Sequence, residues 1–289
     1  MTPAPDGPLD GAARTRPDGW LANPLTTDPA TAERQAYVIL ARHHTGEPGP
    51  VQCLTARYRT AVFALGAPPR RVLKRHADEA GYLGEVLAYE LLADENVLPD
   101  LHRACDTSRT LLVDHLDEEV TLPGTDAFDE LVRAVARIHT ASARWQPEVA
   151  ETMVLWQTAA ALEAQSPDWI TRPGDWRRLL QLVTGAHGPG HVPLGHLDLK
   201  PEHVRRRADG HLALIDAETL RPDITGLPDL ITLAHMAAQQ GHPSPRWIRH
   251  AYLHHARELG AHWNDHDLIR ALTAFAAATG LRSLHGAHE

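Results

Sequence analysis

The chain has 289 residues, is 43% hydrophobic and 22% charged, and carries a net charge of −9 at neutral pH. That length accommodates one large domain or two lobes sharing a core. The acidic balance argues against nucleic acid as a partner, which needs clustered Lys and Arg, and no apolar run approaches the ~18 residues of a membrane helix.

Residues 1–28 are rich in Pro, Gly, Asp and Thr without periodicity and read as a mobile tail, with no apolar segment of a secretory signal. Asp28 followed by Pro29 is an N-cap with proline at the first helical position, opening "PATAERQAYVILARHH". The alternating segments "VQCLTARYRT", "AVFALG" and "RRVLKRH" then read as antiparallel strands, with "GAPPR" as a turn. "AGYLGEVLAYELLADEN" returns to helical spacing, with Leu83, Val86, Leu87 and Leu91 on one stripe, and "RTLLVDHL" is another strand. Cys53 and Cys105 form neither a disulfide framework nor a metal-ligand spacing, so a cytoplasmic protein with free thiols is expected.

From Asp126, read as the N-cap of "DAFDELVRAVARIHTASA", the pattern is mainly helical. Helical periods recur in "ETMVLWQTAAALEAQ", "GDWRRLLQLVT", "SPRWIRHAYLHHARELG" and "NDHDLIRALTAFAAATG". The exception is "HLDLKPEHVRRRADGHLALIDAE", which reads as loop, strand, a turn at Asp209–Gly210 and strand. Together these predict an α+β fold. A small lobe of antiparallel sheet plus helix covers 29–117, and a larger, mainly helical lobe covers 118–289. The twenty histidines are scattered rather than grouped at ligand spacing.

Four separated residues suit phosphoryl transfer. Lys74 ends a predicted strand, Glu85 lies on the next helix with Glu90 as a rival, Asp198 sits in a loop, and Asp216 closes a hairpin. The reaction needs an oriented cation on the α- and β-phosphates, a carboxylate at the acceptor hydroxyl, and a carboxylate for Mg²⁺, a hard cation that prefers oxygen.

The order and local spellings resemble the aminoglycoside phosphotransferase branch of the protein-kinase-like superfamily over about residues 50–240. "HLDLKPEH" at 196–203 looks like the family's catalytic loop, "LID" at 214–216 like its metal-binding acid, and "VARIHTA" at 135–141 like the helix preceding the loop. "GLPDLITLA" at 226–234 looks like its later acidic element, with Asp229 as the matching acid, although Asp229 also reads as a helix N-cap. "LLVDHLD" at 111–117 is similar to the strand leading into the nucleotide hinge.

The resemblance implies a bilobal kinase-like fold that binds ATP, or GTP, with Mg²⁺. It makes Asp198 the base, Lys74 the phosphate-binding cation oriented by Glu85, and Asp216 a metal ligand. His203 stands where the family places a metal-binding asparagine, and Glu218, two residues past Asp216, is a candidate to assist. Lys200 matches a lysine that faces the transferred phosphate in Ser/Thr kinases. With no glycine-rich loop present, backbone amides, Arg57 or Arg59 would cover the phosphates. The expected acceptor is a hydroxyl of an antibiotic or other natural product. The alternatives are Ser/Thr of a precursor peptide, with a biosynthetic partner enzyme, and a catalytically dead nucleotide-binding module.

Overall fold

The computed structural model describes residues 25–116, 120–153, 172–187, 194–220 and 227–279, apart from a few isolated positions within them. The predicted tail up to residue 24 and nearly all of the "ETMVLWQTAAALEAQ" helix lie outside the described residues. The chain divides into two compact units, Met1–Leu83 with Asp100–His115, and Gly84–Pro99 with Leu116–Glu289.

In the first unit, Asp28 caps α1 (Pro29–His43), its Oδ2 accepting from the Thr31 amide at 2.8 Å. That bond satisfies one of the donors that a helix start leaves open. α1 buries Ala32, Ala36, Ile39 and Leu40, the spacing of one helical face. The sheet comprises β1 (Val51–Ala56), β2 (Thr60–Gly66), β3 (Pro69–His76), β4 (Leu101–Cys105) and β5 (Thr110–Asp114), all neighbours antiparallel in the order β1-β2-β3-β5-β4. Phe63, Leu65, Leu73 and Leu112 pack with Ile39 in its core. β4 has no counterpart in the sequence reading. It is an edge strand whose His102, Arg103 and Ala104 are exposed, so it lacks apolar alternation.

The helix α2 (Glu79–Leu91) buries Tyr82, Glu85, Ala88 and Leu91, whereas Leu83 is exposed. The buried row therefore shares only Leu91 with the predicted stripe, because it includes an aromatic residue and a carboxylate that hydropathy alone does not select.

The second unit contains α3 (Thr125–Thr140), a 3₁₀ turn (Ala141–Arg144), α4 (Pro173–His187), the hairpin β6 (Val204–Arg206) and β7 (Leu212–Leu214), α5 (Leu227–Gln240), α6 (Pro245–Glu258) and α7 (Asp265–Thr279). α3 starts one residue before the predicted cap. Gly124, at φ 88°, is the N-cap, and Asp126 lies in the first turn, where its charge favours the helix dipole. Phe128, Leu131, Val135 and Ile138 of α3 are fully buried, and each contributes about 1.5–3 kcal/mol of hydrophobic burial.

The hairpin that carries the candidate site is fixed from behind by residues 95–98. The Leu214 amide donates to the Val97 carbonyl at 2.8 Å and Arg207 Nη1 to the Leu98 carbonyl at 2.6 Å. Arg144 holds this segment in turn, with Nε 2.6 Å from Glu95 Oε1.

Candidate active site

The loop 196–203 is held by one buried carboxylate. Asp229 is the third residue of α5 rather than its N-cap. Its Oδ2 accepts from the His196 amide at 2.7 Å, and its Oδ1 from the Leu197 amide at 2.8 Å. His139 Nε2 lies 3.1 Å from Asp229 Oδ2, and His139 Nδ1 lies 2.8 Å from the Tyr252 hydroxyl. A carboxylate only accepts, so His139 Nε2 carries the proton and Nδ1 accepts from Tyr252 O–H. This chain of bonds is 1% exposed at each of its three side chains.

Burial pushes the Tyr252 phenol well above its usual range, keeping it a neutral donor. Leu197 has φ 67°, a left-handed conformation that costs a leucine on the order of 1–3 kcal/mol and persists only where surroundings enforce it. The paired amide bonds to Asp229 supply that enforcement.

A second set of bonds joins the loop to the hairpin's exit. The Ile215 amide donates to the His203 carbonyl at 2.9 Å, and Thr219 Oγ1 to the His196 carbonyl at 2.6 Å. His196 Nε2 lies 3.0 Å from the Ile215 carbonyl, an acceptor only, so Nε2 carries a proton. Burial lowers the His196 pKa, favouring the neutral ring.

These constraints bring Asp198, Lys200, His203 and Asp216 together. Lys200 Nζ donates to Asp198 Oδ2 at 2.8 Å, and this bond raises the lysine pKa. His203 Nδ1 donates to the Asp198 carbonyl at 2.7 Å. In the neutral ring Nε2 then presents a lone pair, yet it faces Asp216 Oδ2 at 3.5 Å. Two acceptors at that distance call for a cation or a proton between them. Asp216 adopts φ 65°, ψ 50°, a left-handed conformation that aspartate tolerates better than most residues.

One donor atom each from Asp198, His203 and Asp216 lies within 4.8 Å of the others. Two carboxylates and an imidazole suit a divalent cation, with the nitrogen shifting preference from Mg²⁺ towards softer ions such as Mn²⁺.

The remaining predicted residues fall as follows. Glu85 is buried while its rival Glu90 is exposed. One carboxylate oxygen of Glu85 lies within 4.8 Å of one of Glu218. α2 approaches the Glu218 backbone so closely that a Cβ on Gly84 would meet the Glu218 carbonyl oxygen at 2.9 Å. In the first unit, Lys74 is buried on β3 opposite Val62 and Leu111. Arg57 and Arg59 are exposed in the β1–β2 turn, where the Arg57 amide donates to the Thr60 carbonyl at 3.0 Å. Tyr252, absent from the sequence reading, completes the brace behind the loop, and no local motif marks it.

No family model matches the chain, and no curated protein matches it in sequence. Solved structures match it in fold. The macrolide 2'-phosphotransferase MphH of Brachybacterium faecium is 18% identical, covering 86% of this chain and 90% of its own, with a TM-score of 0.52. An aminoglycoside phosphotransferase from Alicyclobacillus acidocaldarius is 12% identical over 80% and 79% of the two chains, with a TM-score of 0.50. The ethanolamine kinase of Plasmodium vivax is 8% identical over 87% and 79%, with a TM-score of 0.51. The chain has the protein-kinase-like fold, with an antiparallel five-stranded sheet and helix before a mostly helical part. Among the described residues, no helix is long and apolar enough to cross a membrane.

Proposed function

We propose that the chain is an O-phosphotransferase that moves the γ-phosphoryl group of ATP, or of GTP, to a hydroxyl of an antibiotic or another natural-product small molecule. The observation that carries this reading is the convergence of Asp198, Lys200, His203 and Asp216 on a loop whose backbone is pinned by Asp229. By their names, the three structures of like fold act on macrolides, aminoglycosides and ethanolamine, which supports a small-molecule acceptor over a protein.

In this reaction the acceptor oxygen forms a bond to the γ-phosphorus. The bond to the β–γ bridging oxygen breaks, and its electron pair leaves with the nucleoside diphosphate. Asp198, whose side chain is about one-third exposed, orients the hydroxyl and takes its proton. Lys200 reaches Asp198 from a half-exposed position and places a positive charge beside the transferring group. Asp216 and His203 would hold the divalent cation, which when bound would neutralise charge on the phosphate oxygens. Lys74 is assigned to the α- and β-phosphates of the donor.

The test is nucleotide-dependent transfer to a panel of macrolides, aminoglycosides, amino alcohols and Ser/Thr peptides, comparing wild type with Asp198→Ala. The expected result is transfer to a small molecule that falls about 10²–10⁴-fold in the variant. Transfer to a peptide alone would replace the acceptor class. Nucleotide binding without transfer, and basal hydrolysis unchanged by the substitution, would mark a dead module.

A further inference from the structure

A second cluster lies on α6, away from the phosphotransfer loop in sequence and independent of the function proposed for it. His254, His255 and Glu258 occupy positions i, i+1 and i+4, so the glutamate sits one turn beyond both imidazoles. One donor atom of each lies within 4.8 Å of the others. His254 Nε2 is 3.4 Å from Glu258 Oε1, and His255 Nδ1 is 3.6 Å from Glu258 Oε2. With zinc-to-ligand bonds of about 2.0–2.2 Å, two ligands of a tetrahedral ion stand about 3.3–3.6 Å apart. The two contacts end on different oxygens of the one carboxylate, and both are longer than hydrogen bonds.

The independent observation is the state of His255, whose side chain is 3% exposed. Its Nε2 lies 2.9 Å from Asp129 Oδ1 on α3, and a carboxylate only accepts, so Nε2 carries the proton. The other oxygen of Asp129 pairs with Arg133 at 3.3 Å, which fixes the carboxylate's orientation. His255 Nδ1 is itself buried, makes no hydrogen bond, and faces the Glu258 carboxylate at 3.6 Å. A carboxylate behind a histidine whose far nitrogen is a bare donor is the arrangement that orients metal-bound imidazoles.

We propose that His254, His255 and Glu258 form a binding site for a borderline divalent cation of the zinc class. Asp129 positions His255, and the fourth coordination place is open to water or an exogenous ligand. Two nitrogen donors exclude Mg²⁺ and Ca²⁺ as the preferred ions. The histidines are thus not all scattered: one adjacent pair acquires a ligand spacing once the helix turn brings Glu258 beside it.

The test uses the metal-stripped full-length protein titrated with Co²⁺ as a visible probe of four-coordinate geometry, then with Zn²⁺. Wild type is expected to develop intense visible bands that saturate at stoichiometric Co²⁺ and vanish as Zn²⁺ displaces it. His254→Asn and Glu258→Gln alter exposed side chains and so keep the fold, which a melting curve verifies. Each is expected to abolish the bands, and Asp129→Asn to weaken Zn²⁺ affinity about 10–100-fold. His203→Asn is expected to leave the bands intact. Bands that are absent, that persist in both ligand variants, or that disappear in His203→Asn would overturn the proposal. An absent band together with an unchanged melting temperature in Zn²⁺ would assign the gap beside His255 Nδ1 to a proton.

Discussion

The two sides of the loop 196–203 differ in how far their polar groups are sealed from solvent. Behind it, Asp229, His139 and Tyr252 are sealed from solvent, and two backbone amides and two side-chain donors each find an acceptor. In front, Asp198 and Asp216 are one-third exposed, Lys200 is half exposed, and His203 Nε2 faces the Asp216 carboxylate at 3.5 Å. A saturated, buried network rigidifies backbone. A partly open one is available to ligands and protons. Stability and reactivity are thereby divided between the two faces of one short segment, and substitutions on each face separate the two.

The largest stability effect is expected behind the loop. Asp229→Ala would strand the His196 and Leu197 amides and His139 in a buried site, lowering unfolding stability by about 3–5 kcal/mol. A urea midpoint shifted by less than the equivalent of about 1 kcal/mol would show that the brace is dispensable. Next comes Gly84→Ala, whose added carbon meets a backbone oxygen that cannot rotate away. It is expected to cost about 1–3 kcal/mol, against the ~1 kcal/mol gain usual for this change within a helix. A net gain would mean that α2 stands off from residue 218.

The pH response sharpens the same contrast. Burial lowers the folded pKa of His196 below its unfolded value of 6.5. The unfolded chain then binds the extra proton first, so the stability of the neutral ring is complete above pH 6.5 and is lost as pH falls towards the folded pKa. Urea midpoints from pH 8 to pH 5 are expected to fall more steeply in wild type than in His196→Gln; parallel curves would contradict the assignment. The smallest stability change is expected in front, where His203→Asn exchanges a nitrogen donor for an amide oxygen. Its readout is the cation that best supports nucleotide-induced stabilisation, which should move from Mn²⁺ towards Mg²⁺. An unchanged preference would remove His203 from the cation site.

Much of the fold was legible because its signals are local. The Asp28–Pro29 cap, the apolar run of β2, and the amphipathic run of α3 each follow from neighbouring residues. β4 was invisible because an exposed edge strand carries no alternation, and the buried row of α2 was displaced because it includes Glu85. The front of the site was legible as well, since Asp198, Lys200 and His203 are adjacent and the hairpin returns Asp216 to them. The back was not. Asp229 could be singled out, but its partners at His196 and Leu197 are about thirty positions away, and His139 and Tyr252 are separated by 113. That Glu85 is buried and Glu90 exposed likewise follows from the helix's packing rather than from its spacing.

The most direct measurement of the central claim is phosphoryl transfer by Asp198→Asn at saturating nucleotide and acceptor, with nucleotide-induced stabilisation measured on the same sample. Turnover is expected to fall about 10²–10⁴-fold below wild type, with nucleotide binding and melting temperature retained. Transfer at the wild-type rate would contradict the claim.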